Sequence, residues 1–316
     1  MIRIILDTDL GLGEPGTEID DGFALALAVA DPDIQLELIT TVNGNTDVET
    51  ATLLTLELVD RLGVSNIPVV KGASAKLMRP EMARQASKTI VAKYGHRKPT
   101  PGFAATAIID HVMSNPGEIT VVAIGPTTNI ATALNLEPRL AKNVKEIVMM
   151  GGSFLEQVTW GSAGEFNVQV DPEAAHAVLH SGAKQRWVGL DVTMKVRLTR
   201  EHAKRMKASK GKFSSFAGDF TTQWIDFISR EYPGAITDGD SCAMHDPLAV
   251  AIVAHPELIT WKPAYVDVVT GEAVGSGAMV TDLLSRRSRK EANCEIAVNV
   301  DAAKFMEFFL GQIEKL

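Results

Sequence analysis

Asp7-Thr8-Asp9 and Asp20-Asp21 set four carboxylates around one strand–helix junction near the start of the chain. Acids so placed repel one another unless a cation or protons compensate. An all-oxygen donor set suits a hard ion, Ca²⁺ or Mg²⁺. The competing reading is a helix capped by Asp20 with the other acids solvated. Asp7, Asp9, Gly11 and Glu18 also fall on EF-hand spacing, but Leu12 stands where that loop needs Gly and a strand precedes it instead of a helix.

Four further groups carry possible chemistry. Gly125-Pro126-Thr127-Thr128-Asn129 follows an apolar run. Such a turn either aims a backbone carbonyl into a site or simply starts a helix capped by Thr128. Glu165 and Asn167, two residues apart, read as an extended segment whose one face grips vicinal hydroxyls, or as a polar surface strand. His245-Asp246-Pro247 pairs an acid/base candidate with a carboxylate that also suits a helix start. Met150, at a strand end, is either core or a ligand contact. A G-x-S-x-G elbow and a P-loop are both absent from the sequence. The Asp-x-Asp pair resembles that of haloacid-dehalogenase-type phosphatases, with Asp7 as nucleophile, yet Gly11 occupies the position where a Thr or Val belongs.

The elements that must hold these residues alternate. Ile4–Leu6 reads as a first buried strand, Asp20–Ala30 as a helix stopped by Asp31-Pro32, and Leu36–Val42 as a second strand. Thr46 or Asp47 caps a helix to about Leu62, closed by Gly63, and Pro68–Val70 is a third strand. Strands follow at Glu118–Ile124, Lys145–Met150 and Arg186–Leu190, with a helix at Pro172–His180 before the last of these. Thr199 to Tyr232 is mostly helical, and Asp246 opens another helix. Strands at Ala264–Val269 and Glu295–Val300 precede a closing helix, Ala302–Leu316. The pattern predicts an α/β fold with a mainly parallel, Rossmann-like central sheet flanked by helices, forming one domain over residues 1–316. The chemically interesting residues sit where strands stop, which is where open parallel sheets bind ligands.

Composition narrows the partners. The 316 residues carry 31 Lys plus Arg against 39 Asp plus Glu, a net charge of −8, which argues against nucleic acid as a main partner. Arg286-Arg287-Ser288-Arg289-Lys290 reads as a solvated loop. Cys242 and Cys294 are too few for a disulfide scaffold and read as buried thiols. The N-terminal apolar run is too short for a signal-peptide core, and no run approaches the length of a membrane span. A cytoplasmic protein without a membrane partner is expected.

Taken in order, these segments resemble the nucleoside hydrolases of the inosine–uridine-preferring superfamily. The carrying motifs are Asp7-Thr8-Asp9 with Gly11 and Asp20-Asp21, Thr40 to Asn45, Gly125 to Asn129, and Met150 to Gly152. Glu165 to Asn167 with Asp171 to Ala175, Gly189 to Thr193 and His245 to Pro247 complete the series, and the resemblance runs from Ile2 to about Phe309. It implies hydrolysis of ribonucleosides to ribose and free base, with Ca²⁺ held by Asp9, Asp21, Asp246 and the Thr128 backbone carbonyl. It implies Asp9 as the general base toward water, and Asp20, Asn45, Glu165 and Asn167 on the ribose hydroxyls. Met150 then lies beneath the sugar and His245 faces the leaving base. A small-molecule nucleoside partner and a homodimer or homotetramer also follow from the resemblance. The reaction passes through an oxocarbenium-like state, which carboxylates around the sugar stabilise. A metal-dependent phosphatase, or a nucleoside- or sugar-binding module without turnover, are the alternatives.

Three departures from the family pattern bear on base preference. Leu12–Ile19 is a Gly- and Pro-containing insertion that predicts a loop over the metal edge, with either Glu14 or Glu18 the candidate to intrude on it. Tyr94-Gly95-His96-Arg97 replaces the family's His-Gly element, so that either Tyr94 or His96 is the candidate contact to the base. The stretch between Gly152 and Glu165 lacks the usual Gly-Asn.

Overall fold

β1 (Ile2–Thr8) is apolar without alternation and buried from Ile4 onward, as befits a strand covered on both faces. In the computed structural model, which describes residues 1–156, 163–232, 239–272, 274–283 and 290–316, it lies inside a nine-stranded sheet, third from one edge. β2 (Ile34–Thr41) and β3 (Val69–Lys71) extend the sheet on one side. β4 (Ile119–Ala123), β5 (Glu146–Met150) and β6 (Gln185–Val188) extend it on the other. A separate two-stranded antiparallel sheet pairs β7 (Arg197–Thr199) with β8 (Ser241–Ala243). β9 (Ile259–Val268), β10 (Met279–Asp282) and β11 (Cys294–Val300) finish the large sheet in the order β10-β9-β11-β6-β5-β4-β1-β2-β3. Pairing is parallel from β3 through to β11 and antiparallel beyond it.

The chain runs outward through β1, β2 and β3, then returns to the far side of β1 to lay down β4, β5 and β6. The carboxyl ends of β1 and β4 therefore flank the point where the winding reverses, and the crevice there is the ligand site of such sheets. Asp9 follows β1 and Gly125 follows β4. Topology alone thus puts the first acidic motif in the crevice.

Two helices bring the other acids to it. Asp20–Ala30 is buried at every residue from Asp20 to Ala28, and His245–Ala254 from Asp246 to Val253. Helices that are apolar all round belong in an interior, and these two pack against each other and against one face of the sheet. Helices Ala104–Ser114, Thr128–Leu136 and Pro172–Leu179 cover the opposite face. Asp47 caps helix Val48–Arg61 by accepting from the Thr50 N–H at 3.0 Å, and Gly63 behind it takes φ +74°, as that turn requires.

Three local expectations change. Glu165 to Asn167 is not extended: the Glu165 carboxylate accepts the N–H groups of Asn167 and Val168 and so caps a short helix, Phe166–Val170. β6 stops at Val188, and Leu190 and Asp191 open a helical turn, Leu190–Thr193. Helix Thr128–Leu136 has Thr127 at its N-cap, not Thr128, and no side chain caps it. The Arg286–Arg289 run and residues 157–162 of the stretch before Glu165 lie outside the described residues.

Candidate active site

Asp9 is fully buried at the exit of β1. Its Oδ2 accepts the Asn45 N–H at 2.6 Å, whereas Oδ1 meets no donor among the described residues. Gly44 and Gly125 let the backbone pass close on two sides, since a Cβ at either would run into this carboxylate. Asp21 accepts from Thr8 Oγ1 at 2.5 Å and from Asn45 Nδ2 at 2.8 Å. Asp20 Oδ2 accepts the Asp246 N–H at 3.0 Å across the two packed helix starts. Carboxylate oxygens of Asp20, Asp21 and Asp246 lie within 4.8 Å of one another.

Nothing cationic offsets this charge: among the described residues no ion pair links Asp9, Asp20, Asp21 or Asp246 to Lys or Arg. Burial, and then the neighbouring Asp21, push Asp20 up to about 7. Burial and the surrounding acids hold Asp9 and Asp246 well above the usual carboxylate range. Asp21 is raised by burial, although Thr8, Asp9 and Asn45 work against the shift. Hydrogen bonds and helix N-termini account for part of the compensation. The rest calls for a divalent cation or for protons, and the donor atoms are all oxygen. A hard cation fits these residues, with the unpartnered Asp9 Oδ1 as a free ligand atom.

A cavity of about 400 Å³ opens above the cluster. Asp20, Asn45, Met150, Glu165, Asn167, His245 and Asp246 all line it, so the sequence-selected residues converge. Asp9 and Asp21 are fully buried and reach it through Asn45, which is bonded to both. Glu165 is held rigidly, its oxygens accepting from the Asn167, Val168 and Gly152 N–H groups at 2.9 to 3.2 Å. Asn167 Nδ2 reaches the Ile124 and Met150 carbonyls at 3.1 and 3.2 Å, which ties the ends of β4 and β5 together.

Several assignments change. The Thr128 carbonyl is not a ligand in this arrangement: it belongs to the first turn of its helix and accepts from Thr132 Oγ1 at 2.7 Å. The Thr128 hydroxyl donates to Asp171 Oδ2 at 2.6 Å. Ile124, directly after β4, lines the cavity. Asp7, the nucleophile of the phosphatase reading, is fully buried and accepts from Thr40 Oγ1 at 2.5 Å and Asn129 Nδ2 at 2.7 Å. It is a strut between β1, β2 and the helix after β4, out of reach of substrate. Neither Tyr94 nor His96 lines the cavity: Tyr94 packs against the core and His96 is exposed.

The insertion does reach the site. Leu12 and Ile19 are buried anchors at its ends, and Thr17 Oγ1 closes it on the Gly11 and Glu14 carbonyls at 2.7 Å each. Glu14 is drawn away to Thr46 Oγ1 at 2.9 Å. Glu18 instead lines the cavity, 3.8 Å from His245 Nε2. Beside the insertion, whose Gly16 lies against Phe227, an aromatic wall comes from helix Lys212–Glu231 and the residue after it: Trp224 and Phe227, stacked 5.4 Å apart, with Tyr232. Sequence reading passed over these aromatics, although Phe216, Phe220, Trp224 and Phe227 form a stripe at helical spacing. His245 Nδ1 lies 2.7 Å from Thr193 Oγ1, and burial, with Arg197, pushes its pKa down to about 3. Its ring is therefore neutral near pH 7.

Comparison with known proteins decides what this arrangement belongs to. The family described as inosine-uridine preferring nucleoside hydrolase matches residues 4–307. The chain belongs to this family. The non-specific ribonucleoside hydrolase RihC of Klebsiella pneumoniae is 34% identical, covering 97% of this chain and 96% of its own. The inosine-uridine preferring nucleoside hydrolase of Leishmania major is also 34% identical, at 99% and 98% coverage. A solved plant nucleoside hydrolase superposes with a TM-score of 0.88 at 27% identity over 100% of this chain and 99% of that one. The α/β fold with its mainly parallel sheet is that of a nucleoside hydrolase, and the chain is an N-ribohydrolase.

Proposed function

We propose that this nucleoside hydrolase is Ca²⁺-dependent and cleaves ribonucleosides to ribose and free base in the cavity above Asp9, Asp20, Asp21 and Asp246. The observation that carries the reading is the buried, unpartnered Asp9 Oδ1 beside three clustered carboxylates, beneath a sugar-sized ring of polar side chains. Asp9, Asp21 and Asp246 would hold the ion. When bound, Ca²⁺ supplies a Lewis-acidic centre that orients vicinal hydroxyls and the attacking water. Asp9, ionised in that state, accepts the water proton. Asp20, Asn45, Glu165 and Asn167 hold the ribose hydroxyls, and Met150 supports the sugar from below. Fixed carboxylates on this side stabilise the positive charge that develops on the ring as the N-glycosidic bond breaks.

His245 lines the same cavity as the polar residues and the aromatic wall. As a neutral ring it hydrogen-bonds the departing base instead of acting as a resident imidazolium. His245→Ala is accordingly expected to slow inosine turnover by about 10²-fold and to leave p-nitrophenyl riboside, which needs no such help, within a few-fold of the parent. Equal losses on both substrates would remove His245 from this role. The free, buried Cys242 and Cys294 suit a reducing compartment and support a cytoplasmic salvage enzyme. Among the described residues no helix is long and apolar enough to cross a membrane. Met78 and Met82, 64% and 55% exposed, offer apolar surface that a homodimer or homotetramer would cover.

A nucleoside panel assayed with and without a calcium chelator tests the whole reading. Release of free base that stops on chelation and returns with Ca²⁺ is the expected result. Tight nucleoside binding without base release, or turnover indifferent to the chelator, would overturn it.

A further inference from the structure

A second cluster of ligating side chains lies outside the cavity, on the face of the sheet covered by helix Pro172–Leu179. His176 in that helix and His180 at its C-cap are four residues apart and so stand on one face, with ring centroids 4.4 Å apart. Both turn toward Asp267 of β9: His176 Nδ1 is 3.1 Å and His180 Nε2 is 3.3 Å from the same oxygen, Asp267 Oδ1. The side chains are 48%, 35% and 33% exposed, so the convergence point is open to solvent.

We propose that His176, His180 and Asp267 form a site for a divalent transition metal, Zn²⁺ in the first instance, distinct from the carboxylate cluster of the cavity. Ligand chemistry separates the two. Imidazole nitrogens with one carboxylate suit Zn²⁺ and its neighbours, whereas the all-oxygen cluster suits Ca²⁺. Spacing agrees as well. Bonds of 2.0–2.1 Å at tetrahedral angles put ligand atoms roughly 3.3 Å apart, and the two nitrogen–oxygen distances here are 3.1 and 3.3 Å. The three donor atoms all lie within 4.8 Å of one another, and the exposed side leaves a fourth position for water.

The carboxylate is already oriented for this task. The Val268 N–H donates to Asp267 Oδ1 at 2.9 Å and Tyr265 Oη donates to Oδ2 at 3.2 Å, the kind of supporting contact that fixes a metal ligand. Lys290 Nζ, which donates to Tyr265 Oη at 2.9 Å, is a cation close to the site, and it tempers affinity without occupying a ligand position. Partial burial works the other way, but that N–H, the two imidazoles and the tyrosine hold Asp267 down to about 2. The ligand carboxylate is thus ionised throughout the neutral range. Because the histidines belong to the helix and Asp267 to a strand near the sheet edge, an ion here clamps one to the other.

The test is a calorimetric titration of the full-length protein with ZnCl₂ in millimolar Ca²⁺, which keeps the cavity cluster loaded. The expected result is one equivalent of Zn²⁺ bound saturably, with affinity falling at least tenfold in both His176→Ala and His180→Ala. Zn²⁺ should raise the melting temperature by a few degrees in the parent and not in the variants. Both histidines are well exposed, and nucleoside turnover by the Ca²⁺-loaded variants should match the parent, which confirms that they fold. No saturable uptake, or uptake unchanged in both variants, would overturn the proposal.

Discussion

Asp9→Ala is expected to lower kcat on nucleosides by about 10³-fold or more, and to do so in a protein that folds at least as well as the parent when no metal is present. The first half follows from the double duty assigned to one carboxylate, which contributes to ion binding and accepts the water proton. The second half follows from its surroundings. Asp9 is buried with one oxygen unpartnered and sits among like charges, so as an anion it costs stability unless a cation is bound. Removing it relieves that cost. Melting in the presence of a chelator should therefore show Asp9→Ala equal to or above the parent, while Ca²⁺ should stabilise the parent and have little effect on the variant. Steady-state kinetics and paired melts check both halves. Activity within tenfold of the parent would mean that another group takes the proton.

The contrast with Asp7 shows what sequence could and could not reveal. Two residues apart on one strand end, the two acids look equivalent in the primary structure. Asp7, within β1, meets Thr40 and Asn129, while Asp9, just past its end, meets Asn45 and the cavity cluster. Strand alternation would put residues two apart on one face; the pair divides because β1 ends at Thr8 and Asp9 lies in the turn beyond it, and where that turn leads depends on where β4 returns beside β1. The sheet itself was legible because its strands are unbroken apolar runs ending in Gly or Asp, and the first helix because Asp31-Pro32 ends it. Short strands with few residues, β7, β8 and β10, left no such signature.

Other misses share a physical origin in long-range contacts. Glu165 to Asn167 has the composition of an extended polar segment, yet the carboxylate of Glu165 finds three backbone N–H groups and caps a helical turn instead. Thr128 was given a carbonyl role by motif position, but a helix that starts at Thr128 directs its carbonyls along its own axis, away from the site. The insertion between Asp9 and Asp20 announced itself by its glycines, with Gly13 and Gly16 at φ +118° and +84°. Its consequence, Glu18 inside the cavity and Glu14 outside, depends on which of them meets Thr46. His176, His180 and Asp267 are an i,i+4 pair and a partner 87 or more residues away, which only the folded sheet edge joins.

Stripping divalent cations is expected to leave a folded protein whose stability declines as pH rises from 5 to 8. Asp20 in the carboxylate cluster and Asp7 behind it both have folded-state pKa values of about 7, raised chiefly by burial. In the unfolded chain such groups titrate near 3.9. Between these limits the folded state holds more protons than the unfolded one, so the slope of stability against pH is negative and the loss accumulates up to about pH 7. Asp9 and Asp246, raised by burial and by the surrounding acids, add to the decline. Glu37, held low beside Arg3 and His111, changes protonation only under more acidic conditions, whereas His245, pushed down to about 3, binds its proton only in the unfolded chain and opposes the decline up to about pH 6.5, one ring against several raised carboxylates. A drop in melting temperature of roughly 5 °C or more across the window is expected. Ca²⁺ should raise the curve most at the alkaline end, where the cluster is charged, and flatten it there; the contribution of Asp7, which is not a ligand, should persist. Melts recorded by differential scanning fluorimetry in chelator and in millimolar Ca²⁺ read both effects. A chelated protein with a flat profile, or one that Ca²⁺ fails to stabilise at pH 8, would mean that the four acids keep their protons and that no cation is needed to hold them together.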